Sequence, residues 1–279
     1  MRSTTYRRIP PLTRLRRRAS ALLMTGLMVG ALATPLLAEN FESRLALAPE
    51  PFDGLAAYDD LDPITELPDL RKVPAGPKRK AAFFELLVPI IEAENARIAA
   101  QRDWLRAIAE RDTPLDEYEQ ARLAELCGRY RVECRGQEVD GRLLNRVDTL
   151  PLELVVIQAV EESGWGTSRF ARQGNNLFGM RCFTGGCGLG QQGSGRRYQA
   201  FDSVQDAVRA YIHNLNTHRA YERLRTRRAE LARQGTVTAE ALIATLDNYA
   251  VRADYKDVLL SLLRTNSDLI QRHSSDDTA

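Results

Sequence analysis

"LPLELVVIQAVEESGWGTSRFARQGNNLFGM", residues 150–180, decides how this 279-residue chain is read. Asp148 or Thr149 is the expected cap, Pro151 suits a first helical turn, and an apolar helix follows. The helix stops at Gly164. At its exit stand two adjacent carboxylates, Glu161 and Glu162, then Trp165, Phe170 and a Gly-Asn-Asn-Leu-Phe-Gly run. Neighbouring residues on a helix face different ways, so at most one of the two acids shares a given surface with these rings.

Downstream, residues 181–200 are rich in glycine and have no helical period. They suit a loop or a small β-hairpin that Cys182 and Cys187 would staple. "FDSVQDAVRAYIHNLNTHRAY" is again helical, opened by Asp202 or Ser203 with Asp206 one turn on. "TAEALIATLDNYA" and "YKDVLLSLLRTNSDLI" predict two more helices, before a polar tail over 269–279. Upstream, Phe84, Leu87, Ile91, Ile98, Leu105 and Ile108 recur at helical spacing, with Pro89 a possible kink. "DTPLDEYEQARLAELCGRYRVEC" predicts a further helix capped by Asp112 or Thr113, with Leu115, Tyr118, Leu123 and Leu126 buried. The expected class is mainly α with a small β element. Residues 80–138 form a helical accessory region, and 139–268 form the unit that carries the opening stretch.

The N-terminus is of another kind. Residues 1–20 hold seven arginines and no acid, and Ala19 to Ala38 is an uncharged apolar run. A basic start, a short apolar core and a small-residue exit predict a secretory signal over 1–38. The alternative is an uncleaved anchor, for which the run is just long enough. Residues 39–79, proline-rich and acidic, predict a linker. Taking seven arginines and no acids from a formal charge of +2 leaves −5 for the exported part. That charge argues against a nucleic-acid partner, and after cleavage no membrane span is expected.

Four cysteines remain, Cys127, Cys134, Cys182 and Cys187. In an exported protein an even number suggests disulfides, with three possible connectivities. Pairing 127 with 134 and 182 with 187 closes two small loops and is the expected one. The cysteine spacings and the distant histidines do not form a zinc pattern, and no metal or organic cofactor is implied.

A carboxyl at the end of an apolar helix is partly desolvated. It holds its proton near neutral pH, as protonation of a glycosidic leaving oxygen requires. Glu162 lines up with Val155 and Ala159, and Glu161 with Leu154 and Ile157, so spacing alone does not choose between them. Trp165, Phe170 and Phe178 surround the acid with flat faces for sugar C–H groups, Asn175 and Asn176 offer donors and acceptors for hydroxyl and N-acetyl groups, and Tyr198 joins Trp165, Phe178 and the two asparagines as a candidate substrate-binding residue.

"AVEESGWGTSRFARQGNNLFGM" resembles the signature of glycoside hydrolase family 73, the bacterial glucosaminidases. "YQAFDSVQDAVRAYIHNLN" and "YAVRADYKDVLLSLL" are similar to that family's later segments, and "AAFFELLVPIIEAENARI" to the N-terminal helical part of its Bax-like, Gram-negative branch. The resemblance spans roughly residues 80–265. It implies a lysozyme-like helical lobe with a small β-hairpin flanking a groove. It also implies cleavage of the β-1,4 bond between N-acetylglucosamine and N-acetylmuramic acid, in a periplasmic or otherwise exported enzyme acting on peptidoglycan strands. On the family pattern Glu162, the glutamate before the serine, is the general acid, and Tyr249, in a Y-A-x-x-x-x-Y segment, lines the groove near the reacting sugar. One departure matters. Many relatives carry a second carboxylate on the hairpin, whereas residues 181–201 contain no Asp or Glu. That leaves room for a single-acid lytic transglycosylase, or for a wall-binding protein without turnover.

Overall fold

A computed structural model describes residues 61–247, 249 and 252–274. The expected signal, residues 39–60 of the expected linker and the end of the tail lie outside the described residues.

The elements run α1 (Pro77–Ala109), α2 (Glu117–Arg129), α3 (Gly141–Arg146), α4 (Leu152–Ser163) and α5 (Arg169–Gly174). Then come β1 (Arg181–Cys182), β2 (Leu189–Gly190) and β3 (Arg197–Tyr198). The chain continues with α6 (Val204–Thr217), α7 (Glu222–Arg233), α8 (Ala239–Ile243) and α9 (Tyr255–Gln271). The class is mainly α with one small antiparallel sheet, as expected. The β element has three strands ordered β1-β3-β2, with Tyr198 opposite both Arg181 and Leu189.

Helix α4 is the hub. Leu154, Val155, Val156, Ile157, Ala159 and Val160 are all buried, so the helix is apolar around its circumference, as a helix enclosed by others must be. Its neighbours are α1, α8 and α9. The periodic stripe of α1, from Phe84 to Ile108, is buried as its spacing predicts, and the helix continues through Pro89. Residues of α1 and α4 share one hydrophobic core, so the expected accessory helix forms part of the wall behind the opening stretch. Each such side chain contributes about 1.5–3 kcal/mol by leaving water.

Three expectations change. The cap of α2 is Asp116, which accepts from Glu119 N at 2.8 Å in a reciprocal capping box, in place of Asp112 or Thr113. Asp148 does not cap α4, whose N-cap position is Pro151, with no side-chain cap. It is the counter-ion of Arg228, at 3.3 Å. Arg228 is buried, and its guanidinium donates to the carbonyls of Asn145 (2.9 Å) and Thr149 (3.0 Å), tying the entry of α4 to α7. Burial lowers the Arg228 pKa to about 10 while Asp148 pulls it back up. Third, residues 61–73 of the expected linker are packed. Leu67 and Leu70 are buried, Val204 N donates to Ile64 O (2.9 Å), and Ile64 N donates to Gln205 Oε1 (3.0 Å). Two leucines and a few backbone hydrogen bonds suffice to order a segment whose composition reads as solvated.

Both expected disulfides are present, Cys127–Cys134 and Cys182–Cys187.

Candidate active site

Helix α4 ends on Gly164, in the left-handed conformation, and Trp165 and Gly166 follow with positive φ as well. A Cβ on Gly166 would stand 3.0 Å from Leu70 Cδ1 and 3.3 Å from Phe83 Cδ2, so only glycine fits there. Ser163 stitches the turn: its hydroxyl donates to Ala159 O (2.6 Å) and accepts from Gly166 N (2.8 Å). This sharp exit leaves Glu162 at the mouth of the helix bundle.

The two carboxylates part company here. Glu161 turns outward and accepts from Arg252 Nη1 at 2.8 Å. Glu162 turns into a groove of about 310 Å³, with Phe178, Tyr211, Tyr249, Asn214 and His218 on its walls. Among the described residues lining this groove, Glu162 is the one carboxylate. Burial raises its pKa, the hydrogen bond from Tyr255 pulls it back, the Glu161 charge raises it further, and Arg252 offsets part of that. The net direction is upward, so the proton is held at higher pH than on an ordinary glutamate.

Behind the acid lies a buried polar chain. Tyr255, the first residue of α9, donates its hydroxyl proton to Glu162 Oε1 at 2.9 Å. Gln158 Nε2 donates to that hydroxyl at 3.1 Å, and the Tyr211 hydroxyl donates to Gln158 Oε1. Gln158 sits one turn before Glu162 on the same face of α4 and is 0% exposed, so its amide must find internal partners, and it does. With Oε1 occupied, the proton of a neutral Glu162 belongs on Oε2. That oxygen faces Gly179, where a Cβ would stand only 2.9 Å away. Gly179 has φ +62, so both its conformation and its missing side chain keep Oε2 clear.

The expected binding residues divide. Phe178 is in the groove wall, stacked on Tyr211 with ring centroids 4.0 Å apart. Tyr249 is there too, but its hydroxyl proton is committed to Phe178 O (2.9 Å), so only acceptor capacity remains. Trp165 lies away from the groove, against Phe83 and Phe84 at 5.9 and 5.5 Å, with Lys80 Nζ 5.1 Å from its ring. Asn175 and Asn176 are buried struts. Asn175 accepts from Leu67 N (3.2 Å) and donates to Thr65 O (2.8 Å). Asn176 donates to Met180 O and Gln199 O, both at 2.8 Å, closing the base of the sheet. Tyr198 stacks on Phe170 at 4.1 Å and steadies β3 without lining the groove. The sequence reading missed Gln158, Tyr211 and Tyr255. A signal existed for two of them: Gln158 is the one amide in an apolar helix, and Tyr255 is the second tyrosine of the Y-A-x-x-x-x-Y segment.

A larger cavity, about 510 Å³, opens between α1, α2 and α6. Its acids, Glu94 and Asp206, are ion-paired to Arg97 and Arg209.

Residues 142–268 match the family described as glucosaminidase, mannosyl-glycoprotein endo-beta-N-acetylglucosaminidase. The chain is 41% identical over 214 residues to Protein bax of Escherichia coli (strain K12), covering 75% of this chain and 77% of that protein. The catalytic domain of the autolysin Auto from Listeria monocytogenes aligns with 62% of this chain and 97% of its own length, at 16% identity and a TM-score of 0.35. The matched span holds α4, the sheet and α9, and with that identity over three quarters of both proteins the chain belongs to the glucosaminidase family.

Proposed function

We propose that the protein is an exported peptidoglycan hydrolase cleaving the β-1,4 bond between N-acetylglucosamine and N-acetylmuramic acid, with Glu162 as general acid. The observation that carries this reading is the Glu162 carboxyl: its pKa is raised by burial, Oε1 is held by Tyr255, and it is the one carboxylate in the described lining of the groove. Two disulfides support an extracytoplasmic site of action.

In this reading Glu162 Oε2 gives its proton to the glycosidic oxygen as the bond to the anomeric carbon breaks. No second carboxylate stands in the described groove lining, so the carbonyl oxygen of the sugar's own N-acetyl group attacks the anomeric carbon, forming a cyclic oxazolinium. Water then opens this ring at the anomeric carbon and returns a proton to Glu162. The phenolic oxygen of Tyr249, whose own proton is engaged, serves as an acceptor that steadies the incoming water.

The lone acid also favours a second reading, a lytic transglycosylase, in which the sugar's own 6-hydroxyl replaces water. One assay separates the outcomes. Purified sacculi are digested with wild type and Glu162→Gln, and the products are read by mass spectrometry. New reducing N-acetylglucosamine ends that vanish with Glu162→Gln are expected. Anhydro-muramic ends would instead establish the transglycosylase. Co-sedimentation with sacculi but no release would leave a wall-binding protein.

A further inference from the structure

The lip of the groove carries a pair of side chains that the proposed chemistry leaves unused. Phe183 is 85% exposed, and with Val237 it makes up the exposed large hydrophobics among the described residues. It follows Cys182 directly, and the Cys182–Cys187 bond closes the loop that bears it. That loop holds Gly185 and Gly186, which would otherwise let the ring fold back onto the surface. The guanidinium of Arg181, on β1, lies 5.3 Å from the Phe183 ring centroid. Both residues border the same groove as Glu162.

Two other arginines near the sheet are occupied. Arg197 donates to the carbonyls of Cys187 and Gly188, and Arg169 to that of Gly190. Arg181 has no acid to pair with in its own hairpin, because residues 181–201 contain neither Asp nor Glu. An exposed ring held out by a covalent staple, beside a cation with no anion, is a surface built for an amphipathic, negatively charged ligand.

We propose that Phe183 and Arg181 form a substrate subsite at the groove lip: Phe183 stacks on a sugar's C–H face, while Arg181 pairs with a carboxylate of the peptide carried by the adjoining sugar. The pair selects anionic, peptide-bearing glycan over neutral N-acetylglucosamine polymer. This deepens the glycan-groove reading and rests on it. The acid-free hairpin then gains a reason, since an Asp or Glu beside Arg181 would neutralise the cation that reads the peptide.

Binding is measured by titration calorimetry in the full chain carrying Glu162→Gln, so that no ligand is consumed. The two ligands are chitotetraose, which is neutral, and N-acetylglucosaminyl-N-acetylmuramyl tetrapeptide, which is anionic. Phe183→Ala is expected to weaken both about tenfold. Arg181→Gln is expected to weaken the peptide-bearing ligand about tenfold and leave chitotetraose within about twofold. Equal losses for the two ligands with Arg181→Gln, unchanged binding with Phe183→Ala, or no binding of either ligand to the parent would overturn the subsite. Turnover of sacculi by wild type is scored separately. Selective binding without turnover sinks the hydrolase reading alone, and turnover with unselective binding sinks the subsite alone.

Discussion

The two walls of the groove are built on opposite plans. One is the side that holds Glu162, backed by helix α4 and crossed by a single buried polar chain from Tyr211 through Gln158 and Tyr255 to Glu162. The other is a lip of two-residue strands, held by a disulfide and exposing an aromatic ring to water. The first wall fixes where a proton sits. The second has little core of its own and relies on covalent and side-chain ties. Rigidity is concentrated where chemistry needs a defined position, and the accessible contact surface is carried by an element whose tip can vary without disturbing the core.

That contrast makes measurable demands. The largest effect belongs to the rigid wall: Glu162→Gln should lower turnover on sacculi by about 10²–10⁴-fold, the usual worth of a general acid. A residual rate within a few-fold of wild type would mean the wall is not the chemical one. Next comes Gln158→Leu, which leaves the hydroxyls of Tyr211 and Tyr255 without their shared partner. A loss of about 3 kcal/mol in denaturant unfolding is expected, and a neutral result would show that water repairs the chain. Asn176→Ala tests the base of the sheet. It should cost about 2 kcal/mol and raise amide exchange in β1 and β3, yet leave chitotetraose affinity unchanged at temperatures where the variant is folded. A selective loss of affinity would return Asn176 to the substrate.

The smallest effect is a dependence on pH. The folded pKa of Glu162 is raised, so its protonated form favours the folded state. Its contribution is complete below the unfolded value of 4.5 and is lost as pH rises through the folded one. Glu162→Gln should therefore match wild type in melting temperature at low pH and exceed it near neutrality. A gap that is constant with pH would mean that the carboxylate is not desolvated. The same titration removes the proton donor, so activity should fall as pH rises through that range.

Much of this was legible in the sequence, for physical reasons. The stripe of α1 announces itself because helical period and core burial share one cause. The two disulfides were readable because local pairs close easily. The caps were less so: Asp112, Thr113 and Asp116 are all competent, and only the reciprocal bond with Glu119 picks one. The site was half legible. Glu161 and Glu162 look alike until Arg252 and Tyr255 arrive from some ninety residues further on to take one each. Asn175 and Asn176 have the hydrogen-bonding capacity a sugar needs, but loop backbone at Leu67, Thr65 and Met180 needs the same capacity, and sequence does not reveal which backbone groups lack partners. Trp165 is flat enough for a sugar and equally suited to Phe83 and Phe84.

The hydrogen bond between Tyr255 and Glu162 joins residues 93 positions apart. Until α9 docks, the carboxyl at 162 lacks this donor. On the proposed reading, the general acid is therefore complete only once the last helix is in place. A chain still lacking that helix would carry the acid without its hydrogen-bond partner.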